Sequence, residues 1–177
     1  MKNVLLINGS PATDSHTHAT LSYLDDQFQG NDCSTRIVDL LEFGLPINDP
    51  RYHADAMQSP NEKVREFASL VKEAEVVVLG SPVYHGSFSG LLKMALDNID
   101  GDALSGKKVL LVSNAYGPRS AMQAAEELST VVRTMSGEVH IRFVGTCNTD
   151  FSKPDDTLEL IDGSIRKRCN DIAKDIL

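Results

Sequence analysis

Apolar positions along this chain alternate between two spacings. Val4-Leu5-Leu6-Ile7 is a continuous apolar run that stops at Asn8-Gly9-Ser10-Pro11, the pattern of a strand covered on both faces that ends in a turn. From Thr17 onward Leu21, Leu24 and Phe28 recur at spacings of three and four, which predicts a helix ending near Gly30. Thr35 to Leu40 reads as a second strand. The stretch from Glu42 to Pro60 is rich in proline and poor in periodicity, so it is expected to be a long loop bordering a site. Val64, Phe67 and Val71 restore the helical stripe. Glu75 to Gly80 is the clearest strand, because consecutive β-branched residues suit a pleated surface covered on both sides. Phe88 to Ile99 predicts a third helix, Lys108 to Val112 a fourth strand, and Met122, Ala125, Leu128, Val132 and Met135 a fourth helix. Val139 to Val144 is expected to complete the strand set. Leu158, Ile161, Ile165, Ile172 and Ile176 predict a last amphipathic helix with Lys and Arg at 166–168 on its exposed side.

Strict β-α alternation demands a parallel sheet with helices on both faces, since each parallel strand needs a right-handed crossover to return. The expected fold is an α/β, doubly wound, five-stranded parallel sheet in order 2-1-3-4-5, with residues 1–177 forming a single domain. In such sheets ligands bind at the carboxyl ends of the strands, where strand order reverses. The loops after strands one, three and four are therefore the ones to inspect.

Composition narrows the partners. The chain has 177 residues, 41% apolar and 24% charged, with 17 Lys and Arg against 25 Asp and Glu for a formal charge of -8. That balance disfavours phosphate backbones and anionic lipid, so neither nucleic acid nor membrane is expected as a partner. No apolar run reaches the roughly 20 residues of a spanning helix, and the N-terminus lacks a cleavable signal pattern, which leads to a cytoplasmic expectation. Cys33, Cys147 and Cys169 are widely separated and read as reduced, structural thiols.

The loop after the first strand, Asn8 to His18, is full of hydroxyls and holds no Lys or Arg. Hydroxyls and free backbone N–H groups at a helix N-terminus make a phosphate pocket that needs no formal positive charge; Ser15 or Thr17 acting only as a helix cap is the competing reading. The loop Ser81 to Gly90 combines proline, an aromatic, glycines and small polar residues just before a helix. Such a loop can lay its backbone beside a planar ring such as a flavin, although a lone Tyr84 or His85 is as readily a packed aromatic or a turn residue. Ser113 to Arg119 has the same small-polar character and would form the opposite wall.

Over essentially its whole length the sequence resembles the NADPH-dependent FMN reductase family of flavodoxin-like proteins. Gly9-Ser10-Pro11 through Ser15-His16-Thr17 and Leu21 is similar to that family's phosphate loop. Ser81-Pro82-Val83-Tyr84 through Ser89-Gly90-Leu91-Leu92-Lys93 and Leu96-Asp97 is similar to its isoalloxazine loop and following helix, and Leu104-Ser105-Gly106-Lys107 also matches. Length and the third-strand loop are most similar to flavin reductases that feed two-component alkanesulfonate monooxygenases. The resemblance implies an FMN-dependent NAD(P)H oxidoreductase that passes a hydride from nicotinamide to flavin and on to free flavin, quinone, azo or similar small-molecule acceptors. It implies FMN as cofactor, NADPH or NADH as donor, and a homodimer or homotetramer packed through the Phe88–Ile99 helix. Ser10, Ser15, His16 and Thr17 are expected at the phosphate, Pro82, Val83, Tyr84, His85, Gly86 and Ser87 at the ring edge, and Asn114, Tyr116 and Gly117 on the opposite wall. No catalytic side chain and no metal ligand is expected, because the cofactor carries the chemistry.

The chain departs from the family where an arginine often follows Gly-Ser-x, since Ala12 stands there, and where Asn-Gly or Lys often follows the loop tyrosine, since His85 stands there. Two other classes stay open: a flavodoxin-type electron carrier and a flavin-free binding module on the same fold. Gly101 to Lys108 approaches a P-loop but lies before a strand rather than after one. Phe88 stands where a nucleophile elbow needs serine, and the dinucleotide fingerprint G-x-G-x-x-G is absent.

Overall fold

Runs of Val, Leu and Ile build the centre of the molecule in a computed structural model that describes residues 1–177. The strands are β1 (Asn3–Asn8), β2 (Ser34–Asp39), β3 (Val76–Pro82), β4 (Lys108–Ala115), β5 (Glu138–Val139) and β6 (Val144–Cys147). They form one parallel sheet in order β2-β1-β3-β4-β5, with β6 also paired to β4. This is the predicted doubly wound arrangement. Period-two alternation divides the side chains between two cores. Leu5, Ile7, Val77, Leu79, Val109 and Leu111 meet α3 (Glu62–Glu73), α4 (Gly90–Asp97) and α5 (Gln123–Thr134) on one face. Val4, Leu6, Val76, Val78, Leu110, Val112 and Val144 meet α1 (His16–Gln29) and α6 (Gly163–Asp175) on the other.

Three predicted boundaries move, each for a local reason. Leu40 starts α2 (Leu40–Phe43) instead of ending β2, because Asp39 accepts from the N–H groups of Leu41 and Glu42 and caps that helix. The fifth strand breaks in two: Arg142 N donates to His140 Nδ1 at 3.2 Å, which turns the backbone and leaves Ile141 93% exposed. The tail helix starts only at Gly163, where Asp162 accepts from Ser164 N and Ile165 N. Ahead of it Phe151–Ser152 (β7) and Glu159–Leu160 (β8) pair as an antiparallel hairpin that carries Leu158 and Ile161 out of the helical stripe. Within that helix Arg166 is half-buried rather than fully exposed, with Nε donating to Leu160 O at 2.6 Å.

The proline-rich stretch after Glu42 is not a site border. Single helical turns capped by Asp49 and Asp55 organise it, and it docks on the loop after α4, where Ala56 N donates to Asp100 Oδ1 at 2.7 Å and Asn98 Nδ2 to Pro46 O at 2.8 Å. The apolar residues of α4 are mostly absorbed by the same core: Leu92, Ala95 and Leu96 are buried, and Leu91 and Met94 pack half-buried against them.

Candidate functional site

Close approach of helices to strand ends fixes the floor of the site. A Cβ on Gly9 would lie 2.7 Å from Leu92 Cβ and 2.9 Å from Gly80 O, and one on Gly80 would lie 2.8 Å from Thr17 Cγ2. Glycine at both positions lets α1 and α4 pack directly against the ends of β1 and β3. A chain of buried hydroxyls then ties the two loops together. Ser89 Oγ donates to Gly9 O at 2.5 Å and accepts from Leu92 N at 3.1 Å, capping α4, while Ser81 Oγ accepts from Ser89 N at 2.9 Å.

Between these loops, at the carboxyl ends of β1, β3 and β4, lies a cleft of about 240 Å³. Ser10, Ser15, His16 and Thr17 line it from the β1 side, Pro82, Val83 and Tyr84 from the β3 side, and Asn114 and Tyr116 from the β4 side. Ala12, the departure from the family's arginine, lines it as well, together with Asp14, Ala115 and Asn148; nothing in the sequence pattern singled out Asn148. Asn148 arrives by the β6 end, which pairs alongside β4.

His85, Gly86, Ser87 and Gly117 were expected in the site but do not line the cleft. Tyr84 N donates to Ser87 O at 2.8 Å and Ser87 N to Tyr84 O at 3.1 Å, closing a two-residue turn in which His85 (φ 53°) and Gly86 (φ 82°) are both left-handed. Such a turn prefers Asn-Gly, so His85 occupies the position of that asparagine for a backbone reason and its ring is carried to the exposed tip.

The β1 loop is organised around its own polar groups. Ser10 N donates to Asn8 Oδ1 at 3.2 Å, Ala12 N to Ser10 Oγ at 3.2 Å, and His18 N to Ser15 Oγ at 3.0 Å. Ser15 is thus the cap of α1. The consecutive backbone N–H groups of Thr13, Asp14, Ser15, His16 and Thr17 find no acceptor in the protein. They cluster at the positive end of the α1 dipole, the arrangement that holds anions. On the β4 side the N–H groups of Tyr116 and Gly117 are similarly without acceptors, and Asn114 Nδ2 donates to Thr146 Oγ1 at 3.0 Å.

His16 supplies no fixed positive charge to the cleft. Burial pulls the His16 pKa below its ordinary value, with Asp14 acting weakly in the opposite direction, and its ring packs edge-on against Phe151 with centroids 4.7 Å apart. His18 lies outside the cleft lining, with Nδ1 3.8 Å from Asp39 Oδ2. The charge at this loop comes from elsewhere: Lys153 Nζ, just past β7, donates to Asp14 Oδ2 at 2.7 Å. Lys107, in the motif before β4, is structural. Its Nζ donates to Lys72 O and Ala74 O at the end of α3 at 3.0 and 2.7 Å, and burial lowers its pKa.

A larger cavity of about 660 Å³ lies between α1 and the β7–β8 hairpin. It has the greater volume, but Asp14, Asp26, Asp156 and Glu159 line it and it does not receive the strand ends. The smaller cleft lies at the carboxyl ends of the strands, the position where doubly wound sheets bind ligands.

Comparison with known proteins identifies the family and the fold. Residues 2–153 match the family model for NADPH-dependent FMN reductase. An FMN-dependent NADPH-azoreductase of Staphylococcus haemolyticus is 36% identical over 165 residues, covering 93% of this chain and 87% of that protein. One from Staphylococcus aureus is 32% identical over 156 residues, covering 88% and 82%. Both are azoreductases, a different acceptor class from the monooxygenase-linked reductases that the third-strand loop suggested. Among solved structures, an apo NADH:FMN oxidoreductase superposes with a TM-score of 0.81 at 20% identity, covering 99% of this chain and 88% of that one. A Bacillus anthracis FMN-dependent NADH-azoreductase in complex with FMN gives 0.70 at 15% identity, covering 98% and 99%; at these identities the likeness is one of fold. With a family model matching most of its length and relatives above 30% identity, the chain belongs to the NADPH-dependent FMN reductase family.

Proposed function

We propose that the 240 Å³ cleft binds FMN and that the protein reduces small-molecule acceptors, azo compounds foremost, at the expense of NADPH or NADH. The observation that carries this reading is the run of acceptor-free N–H groups from Thr13 to Thr17 at the head of α1, which fits a terminal phosphate without requiring an arginine at Ala12. Bound FMN supplies hydride acceptance from nicotinamide and electron delivery to the acceptor. The protein's part is binding and orientation. Ser10 and Thr17, buried beside those N–H groups, close the phosphate end, and Pro82 and Val83 form a rigid wall continuous with β3. The unpaired N–H group of Tyr116, which lines the cleft, is a donor available to the polar edge of a planar ring, where it would favour negative charge developing on reduction. Tyr84 and Tyr116, 45% and 90% exposed, stand at the mouth, where a planar aromatic acceptor can stack.

Purified protein should bind FMN and oxidise NADPH or NADH, followed by near-ultraviolet absorbance, in a flavin- and acceptor-dependent way. Absence of both would sink the reading. Reduction that halts at a one-electron stage would favour a flavodoxin-type carrier, and a melting temperature unmoved by saturating FMN would favour a flavin-free module.

A homodimer or homotetramer through the α4 region, a cytoplasmic location and supply of reduced flavin to a monooxygenase belong to the same proposal. Half-exposed Leu91 and Met94 support the first, and three free thiols fit a reducing compartment for the second. The third rests on the third-strand loop alone. No helix is long and apolar enough to cross a membrane.

A further inference from the structure

The loop from Gly9 to Ser15 carries a single formal charge, Asp14, and it is negative. Asp14 lines the cleft beside the unpaired N–H groups, where a carboxylate opposes a bound dianion. The structure answers this with a residue 139 positions away in sequence: Lys153 Nζ lies 2.7 Å from Asp14 Oδ2. The lysine is held there by a fixed element. Asp150 O accepts from Ile161 N and Asp162 N at 2.8 and 3.2 Å, Cys147 N donates to Asp150 Oδ2 at 2.7 Å, and Arg166 Nε holds Leu160 O on the second strand. Phe151 seats the hairpin on the phosphate loop itself through its edge-on contact with His16. Asp156 is a weaker second partner, with Oδ1 3.9 Å from Lys153 Nζ and its side chain fully exposed.

We propose that Lys153 is an affinity- and specificity-determining residue of the cofactor site: the β7–β8 hairpin delivers to the β1 loop the positive charge that the loop lacks, and this sets a preference for phosphorylated over neutral flavin. This rests on the FMN reading above. Asp14 holds the ammonium beside the donor cluster, and Lys153 in turn cancels the field that Asp14 would exert on the phosphate. The effect is electrostatic, so it acts on FMN and not on riboflavin, and it is screened by salt.

The experiment titrates wild type, Lys153→Met, Lys153→Arg, Asp14→Asn and the Lys153→Met/Asp14→Asn double variant with FMN and with riboflavin, read by quenching of flavin fluorescence. Lys153→Met should weaken FMN binding by roughly fivefold, the order expected of one charge on a dianion across a water-screened gap, with riboflavin unchanged. Lys153→Arg should restore affinity, Asp14→Asn should tighten FMN, the double variant should return close to wild type, and molar salt should erase the differences. An unchanged FMN-to-riboflavin ratio in Lys153→Met overturns the proposal, as does equal weakening of both flavins, which is what mere loosening of the hairpin would give. Wild type that binds no FMN overturns the cofactor reading itself, and this inference with it.

Discussion

Replacing Ser89 by alanine removes one hydroxyl that serves two loops at once. Ser89 is 1% exposed; its Oγ caps α4 by accepting from Leu92 N and is the only donor to the carbonyl of Gly9, itself buried. Losing a serine cap costs about 1 kcal/mol. Leaving a buried carbonyl without a donor adds about 1–3 kcal/mol, so the variant should lose about 2–4 kcal/mol. For a domain whose total stability is about 5–15 kcal/mol, that is a large share. Equilibrium unfolding in urea, followed by far-ultraviolet circular dichroism, should show the midpoint falling by about 1–2 M at an unchanged slope. Gly90→Ala is the matched control at the same helix end: a Cβ there meets nothing within 4 Å, so it should be neutral or stabilise by up to about 1 kcal/mol. A Ser89→Ala loss below about 0.5 kcal/mol would refute the reasoning, because it would mean that water replaces the hydroxyl and that the two loops are not tied through it.

Two further outcomes follow from single residues. His85 sits at φ 53° in a turn that prefers asparagine, so His85→Asn should raise the melting temperature slightly while His85→Val, β-branched at a left-handed position, should cost about 1–2 kcal/mol; equal stabilities would show that the turn relaxes. Burial holds the folded pKa of His16 below the ordinary imidazole value of about 6.5. Its contribution to stability is therefore present above that value and is lost as pH falls through the folded pKa. The urea midpoint of wild type should drop more than that of His16→Gln between about pH 7.5 and pH 5.5, and parallel drops would contradict the assignment.

The fold was legible because its signals are local and repeated. Val76 to Leu79 are buried to within 1% exposure, and a run that apolar could only be a strand covered on both sides. Leu21, Leu24 and Phe28 share one stripe for the same reason. The errors fall where a single polar side chain outcompetes periodicity: Asp39 and Asp162 as helix caps, and His140 as the acceptor that breaks the fifth strand. Hydrophobic spacing carries no information about such contacts.

For the candidate site, the sequence by itself determined which loops meet, because strand order fixes the switch point. It also determined the hydroxyl-rich, arginine-free character of the phosphate loop. Tertiary structure alone decided that Ser15 spends its hydroxyl on the helix cap, that the tip of the β3 turn lies outside the cleft lining, and that from the far end of the chain Asn148 reaches the cleft and Lys153 pairs with Asp14. Backbone donors left over after folding, and a charge pair spanning 139 residues, are properties of three-dimensional proximity. No pattern of neighbouring residues encodes them.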